Sequence, residues 1–308
     1  MGIQGKKFLF GAFLGIGMLL GIIRFLPDGR LHVVFCDVGQ GDAIYIRFPN
    51  NADMLVDGGP DNKVLTCLGR HMPFYDRTLD LVFMTHPQKD HLQGLIEVLR
   101  RYEIKNFLTI PLANTTESYH SLVRLLRTKA LSMRYPNTGD RLKVGEADIS
   151  VLWPEKNWLA EELKINPQLL ANKTTGPNVL GFATDRDLNL FCLYLHLQYG
   201  EFDLLLTGDG DQNTQMQMTK LGLDKLLAQA TEVLKVPHHG SRTGMTEEFL
   251  NRVRPQLSII EVGKNSYGHP NPGTVKSLES WGKVLRTDTS GDIEIIATKN
   301  SWETITQR

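Results

Sequence analysis

The sequence predicts an α+β protein in which two β-rich halves are covered by helices. Short apolar runs typical of strands fill residues 31–56 and recur between residues 190 and 298, with helix-compatible runs among them. No linker rich in proline, glycine and serine divides residues 31–308, so we expect the two halves to form one domain. Hydrophobic residues make up 41% and charged residues 22% of the 308 residues, which is typical of a globular protein with an ample core.

The first half begins with three closely spaced strands. Turn residues separate them, which favours a β-meander over a βαβ unit. The strands are predicted over 31–36, 43–48 and 54–56. A helix over 64–72, a strand over 81–84, a helix over 92–101, a strand over 104–110, an amphipathic helix over 117–133 and a hairpin over 140–152 follow. Residues 157–175 are polar and helix-prone, and we expect an insertion or a lid there.

The second half is predicted to contain more strands than helices. Strands are expected over 190–198, 203–206, 232–236, 257–262, 283–287 and 293–298, with a helix over 274–281.

The N-terminal segment differs in kind from the rest. Residues 8–23 carry no charge and follow Lys6 and Lys7, and the apolar run extends to residue 26. That length approaches the ~20 residues that span a bilayer. We therefore expect residues 1–30 to be a membrane anchor or an uncleaved signal segment, with residues 8–26 in the membrane. The early lysines favour a domain held outside the cytoplasm.

The charge and the cysteines limit the function classes only loosely. The formal net charge is zero, so any binding of a polyanion requires a local basic patch. Cys36, Cys67 and Cys192 lie in apolar runs without a CxxC pair, and we predict three buried thiols.

Each of several predicted strands ends at a potential metal ligand. These ligands are Asp57, His86, Asp209, His238 and His269. Because ligands bind at the carboxyl ends of strands in α/β proteins, we expect these side chains to line one cleft. Imidazole and carboxylate groups are ligands for zinc and similar ions. Asp90 and His91 could serve a second ion, with Asp209 as a bridge, and two such ions can activate a water molecule.

Residues 86–91, with the sequence HPQKDH, resemble the HxHxDH motif of the metallo-β-lactamase superfamily. More narrowly, the chain is similar to the metallo-hydrolase domain of ComEC-type DNA-uptake proteins. The matching motifs, in the same order, are FCDVGQGDA at 35–43, LVDGG at 55–59, LTGD at 206–209, VPHHGS at 236–241 and YGHP at 267–270. The resemblance implies a four-layer αββα sandwich over residues 31–308, with two divalent ions, zinc or manganese, at one edge. It also implies hydrolysis of a phosphodiester, with nucleic acid as the expected substrate.

The resemblance also assigns roles to individual residues. The implied metal ligands are His86, Asp90, His91, Asp209, His238 and His269, and the implied catalytic residues are Asp90 and His239. Of the two adjacent histidines, one should face the metals and the other donate a proton or a hydrogen bond; continuation of the strand slightly favours His238 as the ligand. Asp57 either orients a metal ligand or caps a turn, and Asp42 is expected to shape its loop through hydrogen bonds.

Gln88 departs from the motif, which has His or Asp at this position. A neutral amide oxygen is a weaker ligand than either, so we expect the site at His86 to bind metal weakly. Two other functions therefore stay open. One is hydrolysis of small esters, thioesters or lactones on the same fold, and the other is a binding module that has lost its metal. The sequence predicts no particular protein partner, and a single hydrophobic segment gives no reason to expect transport of DNA.

Overall fold

The structure is a computed structural model, and it describes residues 27–170, 181–227 and 231–308. Within these residues the strands form two sheets, of eight and seven strands. The first sheet has the order β15-β14-β1-β2-β3-β4-β5-β6. Its strands are β1 (Leu31–Phe35), β2 (Ile44–Arg47), β3 (Asp53–Val56), β4 (Thr78–Met84), β5 (Glu103–Thr109), β6 (Met133–Arg134), β14 (Ile293–Ala297) and β15 (Trp302–Thr306).

The second sheet has the order β13-β12-β11-β10-β9-β8-β7. Its strands are β7 (Arg141–Val144), β8 (Ala147–Trp153), β9 (Tyr194–Tyr199), β10 (Phe202–Leu206), β11 (Val233–Lys235), β12 (Leu257–Ile260) and β13 (Lys283–Arg286). Strands β3 to β6 run parallel in the first sheet, and β10 to β13 run parallel in the second. Several carboxyl ends therefore lie along one edge of each sheet.

The helices are α1 (Lys63–His71), α2 (Lys89–Arg101), α3 (Glu117–Thr128), α4 (Lys156–Glu162), α5 (Gln212–Lys220), α6 (Glu247–Val253), α7 (Pro272–Glu279) and α8 (Thr287–Ser290). Three of these helices, α1 to α3, pack on the outer face of the first sheet.

The alternation of side chains along β1 shows how the layers pack. Val33 and Phe35 point into a core between the two sheets, which also contains residues of β8 to β12. Val34 points the other way, into a second core shared with α1, α2 and α3. Successive residues of a strand face opposite sides of the sheet, so a wholly apolar strand implies a sheet covered on both faces. The architecture is α+β with two sheets, and it is consistent with the predicted αββα sandwich.

The structure confirms most of the predicted elements and adds others. The β-meander of β1 to β3 is antiparallel as predicted, and the hairpin around Gly145 is formed by β7 and β8. The helix predicted over 117–133 ends at Thr128, and the strand predicted over 190–198 begins only at Tyr194. Helices α5 and α6 and strand β15 were not predicted, because their short polar sequences carry little hydrophobic periodicity.

The predicted anchor at residues 8–26 lies outside the described residues, as does part of the insertion expected over 157–175. Among the helices that the structure does describe, none has the length and apolar character needed to cross a membrane.

The prediction of three buried thiols was wrong for two of them. Cys36, just after β1, and Cys67, in α1, form a disulfide with their Cα atoms 5.8 Å apart. Cys192 is a buried free thiol as predicted. An odd number of cysteines with no short spacing gave no sign of the pair, which closes a separation of 31 residues.

The disulfide yields a test of stability. Cys67→Ser in the full chain should lower the free energy of unfolding by about 2–4 kcal/mol, because it frees the loop in the unfolded state. Urea denaturation measures this change. Dithiothreitol should shift the midpoint of the unsubstituted protein to that of the variant and leave the variant unmoved. A midpoint that responds neither to the reductant nor to the substitution would show that the two thiols are not joined.

Candidate metal centre

The predicted ligands converge where the two sheets meet. Asp57 follows β3, His86 and Asp90 follow β4, and Asp209 and His239 follow β10 and β11. Ligand atoms of Asp90, His91, Asp209 and His239 all lie within 4.8 Å of one another. Asp90 comes after β4 of the first sheet, and His239 comes after β11 of the second. The ends of parallel strands in separate sheets thus bring these two distant residues together.

The distances within this group are those of a shared site. His91 Nε2 is 3.3 Å and His239 Nε2 is 3.2 Å from Asp209 Oδ2, and His239 Nε2 is 3.6 Å from Asp90 Oδ2. Asp209 therefore lies between the two imidazoles. The bridging of two ions by this carboxylate stays a prediction.

Unsatisfied polar atoms test whether the group fits a metal ion. Among the residues that the structure describes, His91 Nε2, His239 Nε2 and Asp209 Oδ1 are buried and find no hydrogen-bond partner. Buried polar atoms are normally paired, so several such atoms pointing at one position indicate a ligand. Two imidazole nitrogens and two carboxylates form a donor set for zinc or manganese. The residues present fit a divalent ion.

The orientation of His91 is fixed from behind by Asp57. Asp57 Oδ2 accepts a hydrogen bond from His91 Nδ1 at 2.8 Å and another from Thr85 Oγ1 at 2.6 Å, while Oδ1 accepts from the Thr85 backbone N–H at 2.8 Å. Such a contact to the far nitrogen leaves Nε2 free for a metal. Asp57 thus orients a histidine and caps a turn, so both of its predicted roles are present.

The two adjacent histidines, His238 and His239, do not lie where a continuation of strand β11 would place them. His239 lies in the four-residue group, and its Nδ1 donates to the Glu261 carbonyl at 2.8 Å. The ring of His238 lies instead 5.4 Å from the ring of His269. The strand ends at Lys235, and both histidines have left-handed backbone angles (φ 49° and 52°), so alternation along β11 does not extend to them. The geometry favours His239 as the ligand and leaves His238 and His269 beside it.

His86 lies beside the four-residue group. Its ring is 4.2 Å from that of His91, and its buried Nε2 has no hydrogen-bond partner in the described part of the chain. Burial lowers the pKa of His86 to about 3. The imidazole is therefore neutral at pH 7, as a metal ligand must be. Gln88, the departure from the family motif, lines the same cleft directly before α2.

The sequence patterns did not indicate that Lys235 and Asp42 belong to the site. Lys235 is fully buried, and its Nζ donates to the Gly208 carbonyl at 2.7 Å, forms an ion pair with Asp42 and lies 3.6 Å from Asp209 Oδ1. Burial opposes the charge on Lys235, but Asp42 and Asp209 raise its pKa above the usual value. A lysine inside the apolar run 233–236, directly before the histidine pair, was the signal available in the sequence.

The group lies at the base of an open cleft of about 1090 Å³. Its rim carries two lysines, Lys89 and Lys264, and one exposed aromatic residue, Tyr267. A cleft of this volume admits a polymer segment as well as a small molecule.

Comparison with known proteins connects this geometry to one fold. No family model matches the chain. The sequence is 26% identical over 287 residues to ComE operon protein 3 of Bacillus subtilis (strain 168), covering 87% of this chain and 33% of the relative. It is 26% identical over 266 residues to Recombination protein 2 of Haemophilus influenzae (strain ATCC 51907 / DSM 11121 / KW20 / Rd), covering 84% of this chain and 28% of the relative. The chain thus spans about a third of the length of these relatives.

A solved structure gives the fold itself. The metallo-β-lactamase fold protein YhfI from Bacillus subtilis has a TM-score of 0.50 at 13% identity, with 85% of this chain and 98% of that chain covered. The chain has the metallo-β-lactamase fold. The resemblance found in the sequence is confirmed.

Removing the central carboxylate should empty the site. We expect Asp209→Ala to reduce the bound divalent metal of the purified protein by at least half, because Asp209 lies between both imidazoles. Elemental analysis measures the metal per chain. Asp148→Ala is the matched control, since Asp148 is half exposed and pairs with Lys143 outside the cleft. Equal metal content in the two variants would contradict the placement of the ion at Asp209.

Proposed function

We propose that this chain is a metal-dependent phosphodiesterase that cleaves nucleic acid. The observation that carries the proposal is the set of unsatisfied donor atoms on His91, Asp209 and His239 at the base of an open cleft. A divalent ion held by these residues and Asp90 would supply a water molecule of lowered pKa and neutralise charge on a phosphate. A second ion would be held by His86, Gln88 and Asp209.

The residues around the ions have separable tasks. Asp90 is about one-third exposed and faces the cleft, so its carboxylate can orient a water molecule as well as bind an ion. His238 lines the cleft next to His269, and within residues 27–170, 181–227 and 231–308 its Nδ1 has no hydrogen-bond partner. We assign to His238 the proton donation that the sequence had assigned to His239, since His239 contacts Asp209.

The relatives support nucleic acid as the substrate class. Recombination protein 2 is named for a reaction of DNA, and a further match, 34% identical over 102 residues, is Competence protein ComA of Neisseria gonorrhoeae. The cleft residues Lys89 and Lys264 can contact phosphates in a chain of zero net charge.

Hydrolysis of small esters, thioesters or lactones is the second candidate on this fold. A small substrate is usually enclosed by a pocket lined mainly with apolar side chains. The cleft here is wide and open, and its exposed lining carries charged side chains, Lys89, Lys264 and Asp187. A binding module without metal is the third candidate, and the unsatisfied donors of His91 and His239 argue against it.

We also propose that the domain lies outside the cytoplasm, held at the membrane by residues 8–26. The disulfide between Cys36 and Cys67 supports this location, because disulfides persist in oxidising compartments.

The test of function is hydrolysis of a labelled oligonucleotide by the purified full chain with added manganese or zinc. We expect cleavage that chelation abolishes and that Asp90→Asn reduces on the order of 10²-fold or more, as for loss of a catalytic carboxylate. Gel electrophoresis of the products measures the rate. Hydrolysis of p-nitrophenyl esters with no cleavage of the oligonucleotide would support the second candidate instead.

Gln88 lowers the metal affinity that we expect for the site at His86. Gln88→His or Gln88→Asp should tighten metal binding there, because each replaces an amide by a better ligand. We expect higher activity at limiting metal and little change with excess manganese. Metal titrations of both variants and the unsubstituted protein, followed by activity, measure this difference. Two variants with unchanged metal affinity would show that position 88 does not contact an ion.

A further inference from the structure

Tyr267 is a large aromatic residue exposed at the mouth of the cleft. Its side chain is 75% exposed, more than any other exposed large hydrophobic residue in the described part of the chain. It lines the same cleft as Asp90, Asp209 and His239. A ligand that covered such a ring would remove a large apolar area from water, so the position of Tyr267 at the cleft makes it available for contact with a substrate.

The loop that carries Tyr267 is held in a fixed shape. Asn265 Oδ1 accepts hydrogen bonds from the backbone N–H groups of Tyr267 at 3.0 Å and His269 at 3.1 Å. Its Nδ2 donates to the carbonyls of Gly263 and His269, both at 2.8 Å. One amide side chain thus satisfies four backbone groups. An exposed ring on a fixed loop binds a ligand with a smaller loss of conformational entropy than a ring on a mobile loop.

The position of the ring links it to the metal centre. The ring of Tyr267 is 5.8 Å from that of His269 at an interplanar angle of 35°. The His269 ring is in turn 6.5 Å from that of His239. Lys264 lies on the same loop and on the same rim. An aromatic surface, a cation and the metal donors therefore follow one another from the rim to the base of the cleft.

We propose that Tyr267 stacks against an unpaired nucleobase, so that the substrate is single-stranded nucleic acid. The faces of bases are hidden inside a duplex and accessible in a single strand. Aromatic side chains beside cationic grooves bind single strands in this way. This inference rests on the proposed phosphodiesterase function and adds the recognition of the base. A phosphodiester without a base gains nothing from Tyr267.

The test compares two strands with the same phosphates. Binding of a fluorescent oligothymidylate and of an abasic oligomer of equal length to the purified full chain is measured by fluorescence anisotropy, with strand integrity checked on a gel. We expect Tyr267→Ala to weaken binding of the oligothymidylate about 5- to 150-fold, the range found for loss of one base–aromatic stack. Binding of the abasic strand should change less than twofold.

Two variants control the comparison. Tyr267→Phe keeps the ring and should retain binding within about twofold, which excludes a role carried by the hydroxyl group. Tyr75→Ala removes another exposed tyrosine, 58% exposed, from the loop before β4, at the opposite end of that strand from His86. It should leave both affinities unchanged.

The outcomes separate this inference from the proposed function. Equal losses on both strands, no loss on either, or no binding of the oligothymidylate by the unsubstituted protein would overturn the stacking role. If oligonucleotides are cleaved and neither cleavage nor binding depends on Tyr267, the phosphodiesterase function is supported and the stacking role of Tyr267 is overturned. Base-dependent binding through Tyr267 with no hydrolysis would support the inference and reject the function.

Discussion

A buried ion pair between Lys235 and Asp42 joins the two sheets at the site. Lys235 ends β11 in the second sheet, and Asp42 precedes β2 in the first. Both side chains are almost fully buried, so neither charge is tolerable without the other. Removing one partner of such a pair generally costs about 3–5 kcal/mol. The pair also contacts the metal centre, because Lys235 lies near Asp209 and Asp42 Oδ1 lies 3.3 Å from His239 Nδ1. The pair thus adds to the apolar core that joins the sheets, and it couples their relative position to the position of the ligands.

The backbone around the ligands is equally constrained. Asp57 has a left-handed conformation (φ 58°), which costs a residue other than glycine about 1–3 kcal/mol. Its backbone N–H nevertheless donates to the Phe83 carbonyl at 2.8 Å, and its carboxylate bonds Thr85 and His91. Gly94 of α2 lies so close to the Gly58 carbonyl that a Cβ there would overlap it. This approach holds the start of α2, and with it His91, against the Asp57 loop. The glycines of the DGG motif and Gly94 of α2 thus help to hold His91 in position.

The sequence predicted the strands, the cleft and most of the converging side chains, because strand ends with potential ligands are a local pattern. It did not reveal contacts between distant residues. The pairing of Cys36 with Cys67 and that of Asp42 with Lys235 depend on how the elements pack, which no local pattern encodes. The placement of His238 and His239 lies beyond the local pattern for another reason. Strand alternation stops at Lys235, and the two histidines themselves have left-handed backbone conformations.

The nucleic-acid binding that we propose for this chain depends on contacts within the cleft. The net charge is zero, so no long-range field draws nucleic acid towards the protein. The aspartates at the base of the cleft repel phosphate until divalent ions neutralise them. Lys89 and Lys264 on the rim supply only two cations, too few for tight binding through phosphates alone. Part of the binding free energy must therefore come from contacts that do not depend on charge. Tyr267 offers the most exposed large apolar surface in the described part of the chain, and it lines the same cleft as Asp90, Asp209 and His239.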